Sequence, residues 1–228
     1  MGEKAARRVV IAIDGPAGSG KSTLAALLAR RYCYTNIETG AMYRALALKA
    51  LNTGVSLDDP AALAALARNS TIELIPQQSG NRVLLDGADV SERIRNQNVT
   101  DAASRVSVHP PVREWMVQRQ REMGAGGGIV MEGRDIGTRV FPDAEVKIFL
   151  DAAPEVRGNR RFLQNPVATT QEASVLAEMR ERDLRDRTRK DSPLVAAPDA
   201  VLIDSTRLTL DQVLARAVEI IDSRLSPK

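Results

Sequence analysis

Residues 15–22 form the segment whose residue types and spacing point most directly to chemistry. They read Gly-Pro-Ala-Gly-Ser-Gly-Lys-Ser and match the phosphate-binding pattern G-x-x-x-x-G-K-[ST] in full. An apolar run at 9–13 precedes the motif and a helical pattern at 24–29 follows it, which is the strand–loop–helix context that such a loop requires. An ordinary glycine-rich turn is the alternative interpretation. We therefore expect the chain to bind a nucleoside triphosphate.

The residue types in this loop assign a role to each part of it. Its glycines let successive backbone N–H groups point at a β-phosphate that lies at the positive end of the following helix. Lys21 supplies a mobile cation for the β- and γ-phosphates, and the Ser22 hydroxyl is expected to ligate Mg²⁺. Asp14 either orients a metal-bound water or forms a turn, and both interpretations stay open. The predicted ATP-binding residues are Gly15, Pro16, Ala17, Gly18, Ser19, Gly20, Lys21, Ser22 and Thr23.

Composition restricts the class of protein. A chain of 228 residues suits one α/β domain that needs no disulfide, and the single cysteine, Cys33, cannot form an intramolecular one. A net charge of +3 with 3% aromatic residues argues against a dedicated nucleic-acid binder. The apolar run at 9–13 is too short for a signal peptide or a membrane span, so we expect a soluble cytoplasmic protein.

Apolar runs without polar alternation predict strands that are buried on both faces of a parallel sheet. A weaker fifth run and intervening helical patterns complete an α/β alternation, whose right-handed crossovers bring the strands' carboxyl ends to one edge. Residues 71–75 and 82–85 break the pattern and predict an antiparallel hairpin around a turn at 77–81. The predicted strands are 9–13, 35–38, 129–131, 146–150 and 201–203, and the predicted helices are 22–31, 40–51, 60–67, 100–106, 111–123, 154–163, 171–182 and 210–225.

Three charged segments lie at predicted strand ends or in a helix. Thr39 can cap the helix that follows the second strand, and the exposed N–H groups there make a place for a second phosphate together with Arg44. Residues 131–135 bring Arg134 and Asp135 to the sheet edge. A second phosphate pocket favours a kinase, and the guanine-recognition pattern N-K-x-D is absent from the sequence.

The third charged segment, 180–190, has two interpretations. It is either a solvated helix with the surface pairs Glu181–Arg185 and Asp186–Lys190, or a source of mobile arginines for phosphoryl oxygens.

Five stretches together resemble the bacterial cytidylate kinases, a branch of the nucleoside monophosphate kinases. They cover 13–23, 39–45, 132–144, 146–152 and 181–187, and the resemblance runs in order from about residue 9 to 206. Gly-Arg-Asp-Ile-Gly-Thr at 133–138 and Arg-Asp-x-x-Asp-Arg at 182–187 are its most specific parts. The Asp-Gly-Phe-Pro-Arg type of segment found in adenylate kinases is absent.

The resemblance implies a P-loop NTPase-type three-layer α/β fold with a five-stranded parallel sheet, a small antiparallel insert and a helical lid. Residues 1–38, 97–154 and 190–228 would form the core. Residues 39–96 would form the monophosphate-binding domain, with the hairpin insert at about 70–90, and 155–189 the lid. The implied reaction is direct in-line transfer of the γ-phosphoryl group of ATP to CMP or dCMP, with Mg²⁺. Another P-loop kinase acting on UMP, dTMP or shikimate, and a non-catalytic ATP-binding module, stay open as alternatives.

The resemblance also implies roles for individual residues. Arg44 and Arg134 would hold the CMP phosphate, while Ser104, Arg113 and Asp135 would face the cytosine. The implied catalytic residues are Lys21, Arg134, Arg182 and Arg189, and the implied CMP-binding residues are Thr39, Arg44, Ser104, Arg113, Arg134, Asp135, Arg182 and Asp186.

Within these sets, Arg182 and Asp186 would contact the sugar and Arg189 would reach in from the lid. Glu38-Thr39 stands where many relatives have Asp-Ser, and 164–170 in the lid looks atypical. The partners expected are ATP, CMP and dCMP, bound by a monomer that contacts neither nucleic acid nor a membrane.

Overall fold

The strands form two sheets in the computed structural model, which describes residues 8–77, 80–164 and 172–225. The larger sheet has five parallel strands, and its three central strands are buried along almost their whole length, as their apolar runs predict. In chain order the strands are β1 (Val10–Asp14), β2 (Thr35–Glu38), β3 (Ile72–Gln77), β4 (Gly80–Leu85), β5 (Ala88–Asp89), β6 (Ile129–Gly133), β7 (Val146–Asp151) and β8 (Val201–Asp204).

Helices cover the parallel sheet and build a second layer beside it. Among the described residues no helix is long and apolar enough to cross a membrane. In chain order the helices are α1 (Lys21–Tyr32), α2 (Thr39–Thr53), α3 (Pro60–Arg68), α4 (Gln97–Val106), α5 (Pro110–Gly124), α6 (Pro154–Gln164), α7 (Glu172–Thr188) and α8 (Leu210–Leu225).

The parallel sheet has the order β2-β6-β1-β7-β8, with β1 at its centre. Val10 pairs with Ile129 of β6, and Ile11 pairs with Val146 of β7. This register brings the carboxyl ends of β1, β6 and β7 to the same edge, where the loop at 15–20 also lies. The predicted five-stranded parallel sheet is confirmed.

The antiparallel sheet has the order β3-β4-β5, with Ile72 opposite Leu85. The predicted hairpin is confirmed and gains the short strand β5, although positions 78 and 79 of the predicted turn lie outside the described residues. Asn81 attaches the insert to the parallel sheet, because it accepts a hydrogen bond from the Glu38 N–H (3.0 Å) and donates one to the Asn36 carbonyl (2.9 Å). The insert therefore sits against the strand that leads into α2.

Helices α2, α3, α4 and α5 share one hydrophobic cluster with the insert. Met42, Leu63, Ile72, Val99 and Met116 are fully or almost fully buried within it. A different cluster fills the space between the parallel sheet and helices α1 and α8. Helices α2–α5 thus pack with the insert around a cluster that is separate from the one beneath α1 and α8.

The strands lie where the apolar runs predict them, but several helix ends differ. Helix α2 begins at Thr39, α4 begins at Gln97, and α7 continues to Thr188 rather than ending at 182. A π-helical turn over Ile136–Val140, which no sequence pattern predicts, follows β6. The atypical lid segment 164–170 lies outside the described residues except for the backbone of residue 164, as does the predicted helix start at 171.

Candidate active site

The loop between β1 and α1 has the backbone that its glycines allow. Gly15 has a φ of +149°, and a Cβ placed there would lie 2.0 Å from the Leu150 carbonyl oxygen. No residue with a side chain fits that position, so the loop runs close to the end of β7. The Gly20 carbonyl accepts the first bond of α1, from the Leu24 N–H (3.0 Å). The positive end of α1 therefore faces the space that this loop encloses.

Lys21 is buried beneath the loop, with only 4% of its surface exposed. Its Nζ donates to the Pro16 carbonyl (2.7 Å) and lies 3.5 Å from Ser19 Oγ. Burial and the neighbouring Arg134 lower the pKa of Lys21, whereas Glu132 and Asp14 oppose that shift. A phosphate bound in the loop would restore the ammonium's preference for its charged form.

Ser22 and Glu132 form a hydroxyl–carboxylate pair beside the loop. Ser22 Oγ donates to Glu132 Oε1 (2.9 Å), and Glu132 is buried at the end of β6, next to β1. Burial raises the pKa of Glu132, and the charge of Lys21 opposes this. The sequence analysis gave Glu132 no role, although an acidic residue at the end of a strand beside the loop strand was a usable signal.

The same two side chains fit a magnesium ion. Mg²⁺ is usually held by one or two protein oxygens together with phosphates and water, and Ser22 with Glu132 provides such a pair. In 8–77, 80–164 and 172–225 no group of three or more His, Cys, Asp or Glu residues could hold a metal. Protein ligands alone in this part of the chain therefore do not form a metal cage, and the nucleotide phosphates would have to complete the coordination.

Asp14 connects the loop strand to the π-helical turn. Its two carboxylate oxygens accept the N–H groups of Ile136 (2.8 Å) and Gly137 (2.7 Å). Burial raises the pKa of Asp14 to about 7, against the effect of these two hydrogen bonds. The carboxylate thus orders a turn 122 residues away, rather than a turn in its own segment.

Thr39 and Arg44 lie at the start of α2. Glu38 is the N-cap of this helix, so the prediction that Thr39 caps it is wrong. The Thr39 hydroxyl instead donates to the Glu132 carbonyl (2.8 Å), because β2 and β6 are paired at this point. Arg44 forms an ion pair with Glu38. Thr39 therefore joins α2 to the strand that carries Glu132.

Asp186 is a buried residue of α7 that contacts two arginines. Its carboxylate binds Arg134 Nε (3.0 Å) and lies 3.6 Å from Arg189 Nη1. Burial alone would raise the pKa of Asp186, but Arg134, Arg182 and Arg189 together lower it. Burial and the charge of Arg134 lower the pKa of Arg182 to about 10. This mutual compensation keeps several charges in a space with little water.

This geometry separates the two interpretations of the segment 180–190. The predicted surface pair Asp186–Lys190 is wrong, because Asp186 is 5% exposed and faces Arg134. The pair Glu181–Arg185 is present at 3.5 Å on the exposed side of the helix. One face of α7 is therefore solvated, and the other supplies buried charge to the sheet edge.

Arg113 and Asp135 form a buried ion pair of 2.5 Å, with side-chain exposures of 5% and 8%. Arg113 Nη1 also donates to the Ser107 carbonyl (3.2 Å), and the guanidinium lies 5.8 Å from the centre of the Tyr43 ring. Ser104 is buried on the neighbouring helix α4. The pair presents a cation and an anion side by side, which suits a ligand edge with both donors and acceptors.

Donor atoms without an acceptor are concentrated among these side chains. In the described part of the chain, eight buried side-chain polar atoms have no hydrogen-bond partner, and five belong to residues predicted to bind CMP or to act in catalysis. Leaving a buried polar group unpaired costs about 1–3 kcal/mol, so such a concentration indicates a missing ligand rich in acceptors. The five atoms are Arg44 Nε, Ser104 Oγ, Arg113 Nε, Arg182 Nε and Arg189 Nη2.

Helix α6 adds three arginines that the sequence analysis did not single out. Arg157 and Arg160 donate to loop carbonyls at Ala17 (3.0 Å) and Ser19 (3.3 Å). Arg161 interacts electrostatically with Arg44, and burial is the main cause that lowers its pKa. Their spacing along the helix was visible in the sequence, but only the fold shows that Arg157 and Arg160 contact the loop and that Arg161 lies near Arg44.

Comparison with known proteins identifies the family of the chain. The family model described as cytidylate kinase matches residues 11–223. The chain belongs to the cytidylate kinase family. A cytidylate kinase from Geobacillus thermodenitrificans is 50% identical over 221 residues, which are 96% of this chain and 99% of that protein. One from Pasteurella multocida is 44% identical over 223 residues, which are 97% and 98% of the two chains.

Solved structures support the fold alone. An uncharacterized protein from Eubacterium ventriosum aligns with a TM-score of 0.53 at 16% identity, over 94% of this chain and 99% of that one. A protein from Thermus thermophilus aligns with a TM-score of 0.51 at 20% identity, over 96% and 98%. Membership of the cytidylate kinase family therefore rests on sequence, and the shared α/β architecture agrees with it.

Proposed function

We propose that this chain transfers the γ-phosphoryl group of ATP to CMP, giving CDP and ADP, in pyrimidine nucleotide metabolism. The observation that carries the proposal is the set of buried, unpartnered donors at the sheet edge, on side chains that surround a second anion site beside the phosphate-binding loop. An ATP-binding module would have no use for that second site. The family supports the same choice over UMP, dTMP or shikimate as the acceptor.

Charge neutralisation and alignment are the main tasks of these residues. An oxygen of the CMP phosphate is already anionic, so the reaction needs no general base and no covalent intermediate. Lys21 would hold the β- and γ-phosphates from below the loop. Arg134 pairs with Asp186 and is close enough to Lys21 for its charge to lower the Lys21 pKa. Arg182 on α7 and Arg189 just beyond its end would neutralise charge on the transferring phosphoryl group. Lys21 is buried and Arg134 is already paired with Asp186, so little reorganisation of these two cations is needed during transfer.

Mg²⁺ is proposed to bind with ATP, held by Ser22 Oγ and Glu132. When bound, it would neutralise charge on the β- and γ-phosphates. The 2.9 Å hydrogen bond between Ser22 Oγ and Glu132 Oε1 holds these two oxygens together before the nucleotide binds. Asp14, whose oxygens are already used by the Ile136 and Gly137 N–H groups, contributes by holding the adjoining turn.

Arg113, Asp135 and Ser104 are proposed to select the base. Cytosine presents an amino donor at N4 and acceptors at N3 and O2, which suit the Asp135 carboxylate, the Arg113 guanidinium and the Ser104 hydroxyl respectively. Uracil presents a carbonyl oxygen where cytosine has its amino group, and that oxygen would face a carboxylate. Binding of UMP would leave the buried Asp135 carboxylate without a hydrogen-bond donor from the base, which costs much binding energy. We therefore expect UMP to be a poor acceptor.

Asp186 explains why dCMP is included in the proposal. A ribose hydroxyl could donate to this carboxylate, but Arg134 and Arg189 already hold its two oxygens. When the 2′-hydroxyl is absent, the Asp186 carboxylate therefore still has its two arginine partners. We expect dCMP to remain a good acceptor.

The wider setting of the reaction is also proposed. The chain would act as a cytoplasmic monomer without nucleic-acid partners, with residues 39–96 carrying the acceptor, 155–189 closing as a lid, and 1–38, 97–154 and 190–228 serving as the core. The net charge of +3 and the unpaired Cys33 support this setting. Closure over the site would exclude water and so prevent wasteful hydrolysis of ATP.

ADP release from ATP–Mg²⁺ tests the function against CMP, dCMP, UMP, dTMP, AMP, GMP and shikimate. We expect rapid release with CMP and dCMP and slow release with the others. Rapid turnover of another acceptor would contradict the proposed base site, and ATP binding without turnover of any acceptor would favour the binding-module alternative. Sedimentation equilibrium on the same sample tests the monomer.

A further inference from the structure

Arg157, in the first turn of α6, contacts the phosphate-binding loop itself. Its Nε donates to the Ala152 carbonyl (2.8 Å) and its Nη1 to the Ala17 carbonyl (3.0 Å), and the side chain is 3% exposed. Ala17 lies in the middle of the loop, so the guanidinium ties the loop to the end of β7. All these contacts are made to main-chain oxygens, which identifies Arg157 as a support for the loop backbone.

Asp183 of α7 completes this contact. Its Oδ2 lies 2.6 Å from Arg157 Nη2, and Asp183 is itself buried, with 9% of its surface exposed. The same helix touches the loop at Gly18, where an added Cβ would lie 2.9 Å from Met179 Cε and 3.0 Å from the Arg157 carbonyl. Met179 and Asp183 are four residues apart and therefore share a helix face, which packs against the loop.

The acceptor side is held from the same face of α7. Asp186 lies one turn beyond Asp183 and binds Arg134 and Arg189, as described above. One helix thus carries two buried carboxylates in adjacent turns. The first reaches an arginine that supports the ATP loop, and the second reaches arginines proposed to act on CMP.

We propose that Asp183 is a positioning residue that acts through Arg157: it holds the loop carbonyl of Ala17 in the conformation that binds ATP. Because Asp183 and Asp186 share α7, the same contact couples occupation of the ATP site to the arrangement of the CMP site. Coupling of this kind is reciprocal, so CMP must also tighten the binding of the nucleotide at the loop. The proposal rests on the proposed function for the identity of the two ligands.

Asp183→Asn tests the positioning role, with Glu181→Gln as its matched control. Both substitutions remove one negative charge from α7, but the Glu181 side chain is 71% exposed and pairs with Arg185 on the solvated face. We expect Asp183→Asn to raise the ATP dissociation constant about tenfold, measured by calorimetry without acceptor, because a buried charged contact is lost. The CMP dissociation constant in the absence of ATP should change less than twofold, and Glu181→Gln should change neither.

A double-variant cycle separates positioning from general support of the fold. If Asp183 acts through Arg157, Asp183→Asn should add less than a twofold further loss in an Arg157→Met background. A full additional tenfold loss there would overturn the proposal, as would equal weakening of ATP and CMP binding. If Asp183→Asn does not fold, Asp183→Glu provides the same test, since it keeps the charge but displaces the carboxylate. Its ATP affinity should fall while its CMP affinity stays unchanged.

ADP with CMP, a pair that cannot react, tests the coupling. In the unaltered chain we expect CMP to lower the ADP dissociation constant several-fold, and in Asp183→Asn that ratio should fall towards one. An undiminished ratio in the variant would refute the coupling. Because ATP and ADP affinities are measured without turnover, a failure of CMP phosphorylation would be seen separately and would contradict the proposed function rather than the role of Asp183.

Discussion

Two arginines of the site each pair with a carboxylate and still have one N–H donor without a hydrogen-bond partner among the described residues. Arg113 pairs with Asp135 while its Nε has no partner, and Arg189 lies beside Asp186 while its Nη2 has none. The carboxylates orient the cations and limit their mutual repulsion. The open donors leave room for the oxygens of a phosphate or a base, so the site is charged and aligned before substrate enters.

Lys21→Met should remove catalysis while leaving the fold intact. The substitution keeps the aliphatic packing and removes a buried cation whose pKa is lowered, so the free energy of unfolding should not fall. We expect kcat to decrease by about 10³-fold, because the β- and γ-phosphates lose their mobile cation. Lys49→Met, at an ion pair with Asp86 on the acceptor side, is the control and should retain kcat. A parallel loss of Tm and kcat in Lys21→Met would show a structural role instead.

Arg113→Met should weaken CMP and spare ATP. We expect the CMP KM to rise at least tenfold and the ATP KM to stay within twofold, measured at saturating concentrations of the other substrate. Tm should also fall, because Asp135 is left as an unpaired buried anion. The double variant Arg113→Met/Asp135→Asn should recover Tm without recovering the CMP KM. An unchanged CMP KM in either variant would exclude Arg113 from the base site.

The element that positions the acceptor residues is the end of β6 with the turn that follows it. Glu132, Arg134 and Asp135 leave this strand in succession, and the π-helical turn over Ile136–Val140 fixes the direction of the chain behind them. Asp14 holds that turn from the neighbouring strand β1. Strand β1, which leads into the loop at 15–20, and strand β6, which leads into the π-helical turn, are therefore joined by a carboxylate as well as by their ladder of hydrogen bonds.

Asp14 should make stability depend on pH. Its folded pKa of about 7 lies above the ordinary 3.8, so the folded chain binds more protons than the unfolded chain between these values. Stability from this group is therefore lost as pH rises towards 7. Relative to Asp14→Asn, the unaltered chain should lose on the order of 3 kcal/mol of unfolding free energy between pH 5 and 8. Urea unfolding of both proteins measures this, and a difference that is constant with pH would contradict the assignment.

Helices and strands were predictable from the sequence where the local pattern of apolar residues determines them. Strands β1, β6 and β7 are buried on both faces and form apolar runs, so they lie where 9–13, 129–131 and 146–150 predict them. The edge strand β8 also lies where 201–203 predicts it, although part of it is exposed. The π-helical turn was not predictable, because its first two N–H groups are satisfied by Asp14, more than 120 residues earlier.

At the site, the motif residues were predictable and the direction of their side chains was not. Spacing on α7 suggested a surface pair for Asp186, but the side chain faces Arg134 from another element. Glu132 and Asp183 stand inside recognised motifs, and only the fold shows which atoms they contact.

On the scale of the whole molecule, α4 on the acceptor side meets α7 of the proposed lid. Gln97 Nε2 donates to Asp101 Oδ1 within α4 (3.1 Å) and to Glu178 Oε2 across to α7 (3.1 Å). Arg161 interacts electrostatically with Asp101, Glu178 and Arg44 in the same region. This small polar bridge joins α4 to α7, and Arg161 of α6 lies beside it.

Gln97→Ala should let water reach the phosphoryl group without harming the fold. Gln97 is exposed, so Tm should change little, whereas loss of the bridge leaves α7 freer to move away from α4. We expect hydrolysis of ATP without CMP to rise two- to threefold, and the CMP KM to rise by about the same factor. Gln118→Ala is the control, since its amide donates to Glu122 Oε1 (3.2 Å) within α5 alone and it should change neither quantity. If hydrolysis stays at the level of the unaltered chain, the bridge does not exclude water, and closure depends on the buried arginines of α6 and α7.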